Sequence, residues 1–186
     1  MTDRPAGARL HRGRGATVSP ANRFSATTCQ AVDDGWGSLD VPLEPLATTL
    51  TVDTSRTVIT YNDSPDVGFD RSINPYRGCE HGCVYCFARP SHAWLGLSPG
   101  LDFESRLFYK PQAPELLRNE LGARGYRPAP IALGINTDGW QPVERRQKLT
   151  RRIMEVLVEC RHPFSIVTKS ALIERDLDLL REAAAR

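Results

Sequence analysis

A chain of 186 residues with 40% hydrophobic and 25% charged side chains has the composition of a globular domain, or of part of a larger one. Its 24 basic and 22 acidic side chains nearly cancel, and no apolar run approaches the roughly 18–20 residues that a membrane-spanning helix needs. The N-terminus carries charge without an apolar h-region, so nothing argues for secretion and a cytoplasmic location is expected. In that setting five cysteines point away from a disulfide framework and towards metal or redox chemistry.

Residues 1–45 are rich in Gly, Pro, Ser and Thr, without sustained periodicity, and are expected to form an extended, flexible basic arm. Five arginines against one acid fall within residues 1–24. Composition favours a solvated tail, and contact with a nucleic acid backbone is the weaker alternative. The β-branched, alternating stretch "TTLTVDTSRTVITY" (48–61), interrupted near Asp53–Arg56, predicts a β-hairpin. "RSINPYRG" holds one short strand leading into a cysteine segment. Residues 87–112 carry Pro90, Gly96, Pro99 and Gly100 as breakers and read as irregular.

A helix is expected from Pro114, with Leu117 and Leu121 on one face and Gly122 as its stop. "PIALGI" (130–135) has strand length and is followed by the polar turn "NTDGWQP". From Val143 to Cys160 the period is helical, with Leu149, Ile153, Val156, Leu157 and Cys160 on the apolar stripe, which places Cys160 in the core. "FSIVT" (164–168) is a further strand, and Ile173, Leu177 and Leu180 repeat the helical period. Serial strand–helix construction of about three units implies an α/β fold with a parallel sheet. Such sheets gather their reactive loops at the carboxyl ends of the strands, so the cysteine loop, "NTDGWQP" and "TKS" should meet on one face.

The segment "PYRGCEHGCVYCFARP" (75–90) places Cys79, Cys83 and Cys86 within eight positions, spaced C-x3-C-x2-C. Structural zinc takes four ligands, commonly as two separated pairs. A Cys3His site with His81 is the structural alternative, at the cost of a cramped loop. Three thiolates also suit an iron–sulfur cluster, and a cubane held by three leaves one iron open for chemistry.

"CEHGCVYC" resembles the signature of the radical SAM superfamily, with Tyr85 as its aromatic. The wider blocks "GRGA" (13–16), "SPDVGFDRSINPYRGC", "LGLSPGLDFE", "NTDGWQPVE" and "VTKSALIERDLDLL" resemble its spore photoproduct lyase-like branch, whose members are often labelled DNA repair photolyases. The resemblance implies a partial TIM barrel of βα units, here incomplete, with residues 46–186 forming its N-terminal part and the cluster loop at 75–90. It implies a 4Fe-4S cluster on Cys79, Cys83 and Cys86, whose open iron chelates S-adenosyl-L-methionine. Reductive cleavage then gives a 5′-deoxyadenosyl radical, with a flavodoxin or ferredoxin as electron donor. It further implies Tyr85 beside the adenine, Asn136, Thr137 and Asp138 at the cofactor's amino group, and Lys169 at its carboxylate.

Each of these has a plainer reading. Tyr85 is otherwise a core aromatic, Asn136–Asp138 a helix cap, and Lys169 a solvent-facing lysine. Gly139 and Trp140 stand where that branch tends to have proline and tyrosine. His81 and His92 read as loop-packing residues, Arg77 and Arg89 as candidates to offset cluster charge, and Cys29 has no assigned role. The helical period runs to the terminal "LLREAAAR" without a returning strand. A truncated or split product with weak or no turnover of its own is therefore expected. Three functions stand: a radical SAM enzyme of unknown substrate, a DNA photoproduct lyase, and a non-catalytic zinc or redox module.

Overall fold

The computed structural model describes residues 14–27 and 45–185. Cys29 lies outside the described residues. The fold is mixed α/β with two open sheets, and no barrel closes among the described residues. The first sheet contains β1 (Thr49–Val52), β4 (Tyr76–Arg77) and β5 (Arg106–Tyr109), in the order β1-β5-β4. The second contains β2 (Ile59–Tyr61), β3 (Arg71–Ile73), β6 (Ile131–Leu133) and β7 (Phe164–Ile166), in the order β2-β3-β6-β7. There β3, β6 and β7 run parallel, and β2 joins β3 antiparallel.

The expected hairpin over 48–61 does not form. β1 pairs in parallel with β5, Thr49 opposite Arg106, while β2 pairs with β3 in the other sheet. The reason lies in the connection. Asp53 accepts from the Ser55 amide and hydroxyl and from Arg77 Nε at 2.7 Å, which turns the chain out of the first sheet. Glu120 then receives the Val58 and Ile59 amides and steers β2 into the second.

The apolar faces of the longer helices share one core with the second sheet. α2 (Ala113–Leu121) has Pro114 in its first turn and Gly122 as its C-cap. The long helix expected over 143–160 is broken into α3 (Glu144–Gln147) and α4 (Leu149–Glu159) at Lys148, whose φ is 49°. Glu144 causes the break. Its carboxylate accepts the Leu149, Thr150 and Arg151 amides at 2.9, 3.1 and 3.3 Å, satisfying donors that open α4. Leu149, Ile153, Val156 and Leu157 are buried, each contributing about 1.5–3 kcal/mol by leaving water. Cys160 is exposed, contrary to the periodicity. Helix α4 ends one residue earlier, and Arg161, with φ 50°, turns the chain away from the stripe.

The tail forms a 3₁₀ turn (Ala171–Asp176) and then α5 (Leu177–Ala184). Asp176 takes the Trp140 indole N–H at 2.9 Å and Arg151 at 3.0 Å, tying this turn to the loop after β6. The stretch 87–112 is more ordered than its breakers suggest. It holds a 3₁₀ turn (Arg89–Leu95), α1 (Leu101–Ser105) and β5. No helix among the described residues is long and apolar enough to cross a membrane.

Candidate functional site

β3, β6 and β7 all end on the same side of the second sheet, and a pocket of about 250 Å3 there is lined by the cysteine loop, which follows β4, and by the loops after β6 and β7. The first loop brings Cys79, His81, Cys83, Tyr85 and Cys86, the second Gly134 to Asp138, and the third Val167, Thr168 and Lys169. The sequence-derived candidates thus occupy one cavity, although they span residues 79 to 169.

Cys79 is buried against Ala88 and Phe103, with Cys86 packed on the same cluster. Its amide donates to the Phe103 carbonyl at 2.9 Å, so the cysteine loop starts from a fixed point on α1. Burial pushes the Cys79 thiol up to about 11. Cys83 and Cys86 are half-buried. Arg89 holds the Cys83 carbonyl through Nε at 3.0 Å, and Gln141 spans the loop base by accepting the Glu80 amide and donating to the Gly78 carbonyl.

Asp138 organises the pocket. One oxygen accepts the Trp140 amide at 2.8 Å and the Thr168 hydroxyl at 2.8 Å; the other accepts the Lys169 amide at 3.0 Å. His81 Nε2 stands 3.4 Å from that second oxygen, long for a hydrogen bond. Burial works against the ionised Asp138 carboxylate, but the nearby His81 and the Lys169, Thr168 and Trp140 donors outweigh it and hold its pKa below the usual range. The loops after β6 and β7 are therefore locked to each other by one side chain. They also touch closely: Gly134 has φ 78°, and a Cβ there would meet the Val167 carbonyl oxygen at 2.5 Å.

The remaining candidates divide by exposure. Thr137 is buried, its hydroxyl donating to the Tyr76 carbonyl at 2.7 Å. Asn136 is exposed, and the Asn74 side chain receives its amide at 2.8 Å. Neither acts as the expected helix cap, since α3 begins at Glu144 with no side-chain cap. Tyr85 is 81% exposed at the pocket mouth, beside Phe87 and Val84, so it is no core aromatic. Lys169 directs its amine to the Cys83 sulfur at 3.0 Å, and that contact raises its pKa.

His81 lines the same pocket as the three cysteines, and among the described residues no group of three His, Cys, Asp or Glu, the cysteines included, is disposed around a single metal ion. His92 is fully buried and meets the Arg106 carbonyl at 2.9 Å, as a packing residue. Arg77 pairs with Asp53 on the first sheet. Four supporting residues escaped the sequence: Asn74, Glu104, Gln141 and Thr168. Each acts on a partner at least 30 positions away or through the backbone, which no local pattern records.

The chain is 44% identical over 116 residues to uncharacterized proteins of Mycobacterium tuberculosis and Mycobacterium bovis, covering 62% of this chain and 34% of each relative. It is 33% identical over 110 residues to an uncharacterized protein of Methanocaldococcus jannaschii, covering 59% of this chain and 39% of that one. The matched stretch spans little more than a third of these relatives' lengths. No protein-family model matches the chain, and no solved structure is significantly similar to it.

Proposed function

We propose that the chain holds a 4Fe-4S cluster on Cys79, Cys83 and Cys86 and binds S-adenosyl-L-methionine in the adjoining pocket, for reductive cleavage of the sulfonium. On this reading the sheet β2-β3-β6-β7 is the first part of an open radical SAM barrel. The supporting observation is the convergence of three thiols from one loop with Lys169, Asn136 and Tyr85 around one cavity. Soft sulfur donors in a set of three fit a cluster that keeps one iron for a small-molecule ligand.

When bound, the cluster supplies the electron that opens the carbon–sulfur bond, received from a flavodoxin- or ferredoxin-like donor. The chain's own residues bind and orient. Lys169 brings a compact positive charge suited to thiolates and to a ligand carboxylate. Tyr85 offers an exposed ring face for an adenine. The backbone and amide of Asn136 provide polar contacts at the end of β6. Thr137 and Asp138 have their side chains engaged within the protein, so they position the loop while others touch the ligand.

Anaerobic reconstitution with iron and sulfide, followed by metal analysis and an assay for 5′-deoxyadenosine under strong reductant, tests the proposal. About four irons per chain with 5′-deoxyadenosine formed supports it in full. Stoichiometric zinc with no visible absorption would overturn it.

A further inference from the structure

The segment "RGATVSP" (14–20) belongs to the stretch whose composition suggests a solvated tail, yet it lies across the cysteine loop. Glu104 on α1 is fully buried, and its two oxygens accept the backbone amides of Arg14, Gly15 and Ala16 at 3.1, 3.0 and 2.8 Å. Three successive amides on one carboxylate make an anion-holding nest, closed here by the protein's own side chain. The same carboxylate pairs with Arg89, whose Nε holds the Cys83 carbonyl. The Arg14 guanidinium donates to the Glu104 carbonyl, to Thr48 Oγ1 at 2.7 Å and to Glu80 at 3.1 Å, inside the cysteine segment itself.

Further along, the Val18 carbonyl accepts the Leu101 amide at 3.2 Å and the Pro20 carbonyl accepts the Ser98 hydroxyl at 2.7 Å. Two glycines permit the approach. A Cβ on Gly15 would stand 1.7 Å from the Gly82 carbonyl oxygen, and one on Gly100 2.1 Å from the Val18 carbonyl oxygen. The segment thus touches the cysteine loop backbone to backbone. Cys86 lines the cofactor pocket on one side and a second hollow, walled by Gly15 to Val18, on the other.

We infer that residues 14–20 are a strap and Glu104 its anchor, a positioning residue that holds the three-cysteine loop in ligand-ready shape and covers Cys86 on the side away from the pocket. The inference rests on Cys79, Cys83 and Cys86 being the ligand set. Glu104 acts through two routes, by Arg89 to the Cys83 carbonyl and by the strap to Gly82, so its loss frees both halves of the loop. Arg77, by contrast, is bound to Asp53 and has no part in it.

The test uses the metal-free 186-residue chain, with iodoacetamide as probe and site-by-site mass spectrometry. Wild type, Gly15→Ala and Glu104→Gln are compared, with the exposed Cys160 as internal reference. Labelling of Cys86 should rise roughly tenfold relative to Cys160 in both variants, the size of a local opening freed by about one charge-assisted hydrogen bond. Far-UV circular dichroism of Gly15→Ala should match wild type, since the atoms nearest the added methyl are the Gly82 carbonyl of the cysteine loop and a Glu104 carboxylate oxygen, outside the sheets of the fold. Unchanged Cys86 labelling in folded Gly15→Ala overturns the strap. Should Glu104→Gln fail to fold, Gly15→Ala decides alone. A second readout follows iron loss in air from the reconstituted proteins, which should be several-fold faster in the variants. If no variant and no wild type takes up iron, the cluster reading fails while the labelling result still judges the strap.

Discussion

The amine of Lys169 lies 3.0 Å from the sulfur of Cys83, across 86 positions of sequence. That contact ties the end of β7 to the cysteine loop and, on the proposed reading, sets a positive charge where thiolates and a carboxylate ligand gather. Replacing Lys169 by Met keeps the stem and removes the charge. Hydrogen bonds to charged groups contribute about 1.5–3 kcal/mol, so affinity for S-adenosyl-L-methionine should fall by roughly 10- to 100-fold. Iron content should stay at the wild-type level, because the three cysteines are untouched. Equilibrium binding to the reconstituted protein, with metal analysis of the same samples, checks both halves.

The parallel strands, α2 with its Pro114 and Gly122 punctuation, and the meeting of three loops follow from local periodicity and from how βα units stack. Sequence patterns see a residue's own neighbourhood. They failed where a distant partner decides. Glu120 and Asp53 send β1 and β2 into different sheets, and nothing in "TTLTVDTSRTVITY" announces either partner. Glu144 breaks a helix that its own periodicity supports, by capping amides five to seven residues on. The strap and Glu104 sit in the blocks "GRGA" and "LDFE", about 90 positions apart, and only the fold couples them. Tyr85 shows the converse. Its hydrophobic character suggests burial, while the structure leaves it at the pocket mouth.

Glu144 is buried and holds Tyr76, Arg175 and the first amides of α4 together. Burial, followed by the neighbouring carboxylate, drives the Tyr76 hydroxyl well above its ordinary pKa and keeps it a donor. Substituting Glu144 by Ala leaves a buried phenol and helix-end amides without their acceptor and takes from Arg175 one of its two carboxylates, Asp176 remaining. Breaking such a buried pair costs about 3–5 kcal/mol. Urea denaturation followed by circular dichroism should show a midpoint lowered to match, with an unchanged slope. A loss below about 1 kcal/mol, the size of a surface pair, would mean that water satisfies the network.

His162 supplies a pH signature away from the pocket. Its Nε2 meets the Tyr126 hydroxyl at 2.7 Å and its Nδ1 the Pro163 carbonyl at 2.9 Å, an arrangement for neutral imidazole with Nδ1 donating. Burial lowers its pKa from the ordinary 6.5, more than the Pro163 contact raises it. The unfolded chain therefore binds the proton first as pH falls. The stabilising contribution is fully present above about 6.5 and is lost as pH drops through the lower folded value. Thermal melts between pH 7.5 and 5 should show a decline that His162→Gln reduces. An equal decline in both proteins would assign the acid sensitivity elsewhere.

Gly134 joins fold to function through a steric limit. It holds φ 78° at the end of β6, and an added methyl would stand 2.5 Å from the Val167 carbonyl oxygen after β7. Backbone cannot yield as a side-chain tip would, so Gly134→Ala must separate the two loops. Asp138 bridges them through the Thr168 hydroxyl and the Lys169 amide, and separation strains both bonds. A misplaced left-handed residue costs about 1–3 kcal/mol, which for a domain of this size lowers the melting temperature by roughly 2–10 °C. Because Lys169 moves with its loop, affinity for S-adenosyl-L-methionine should fall together with stability, while the cysteine loop still loads iron. A variant that melts lower yet binds the ligand as wild type would separate the loop junction from the pocket, leaving Gly134 a role in folding alone.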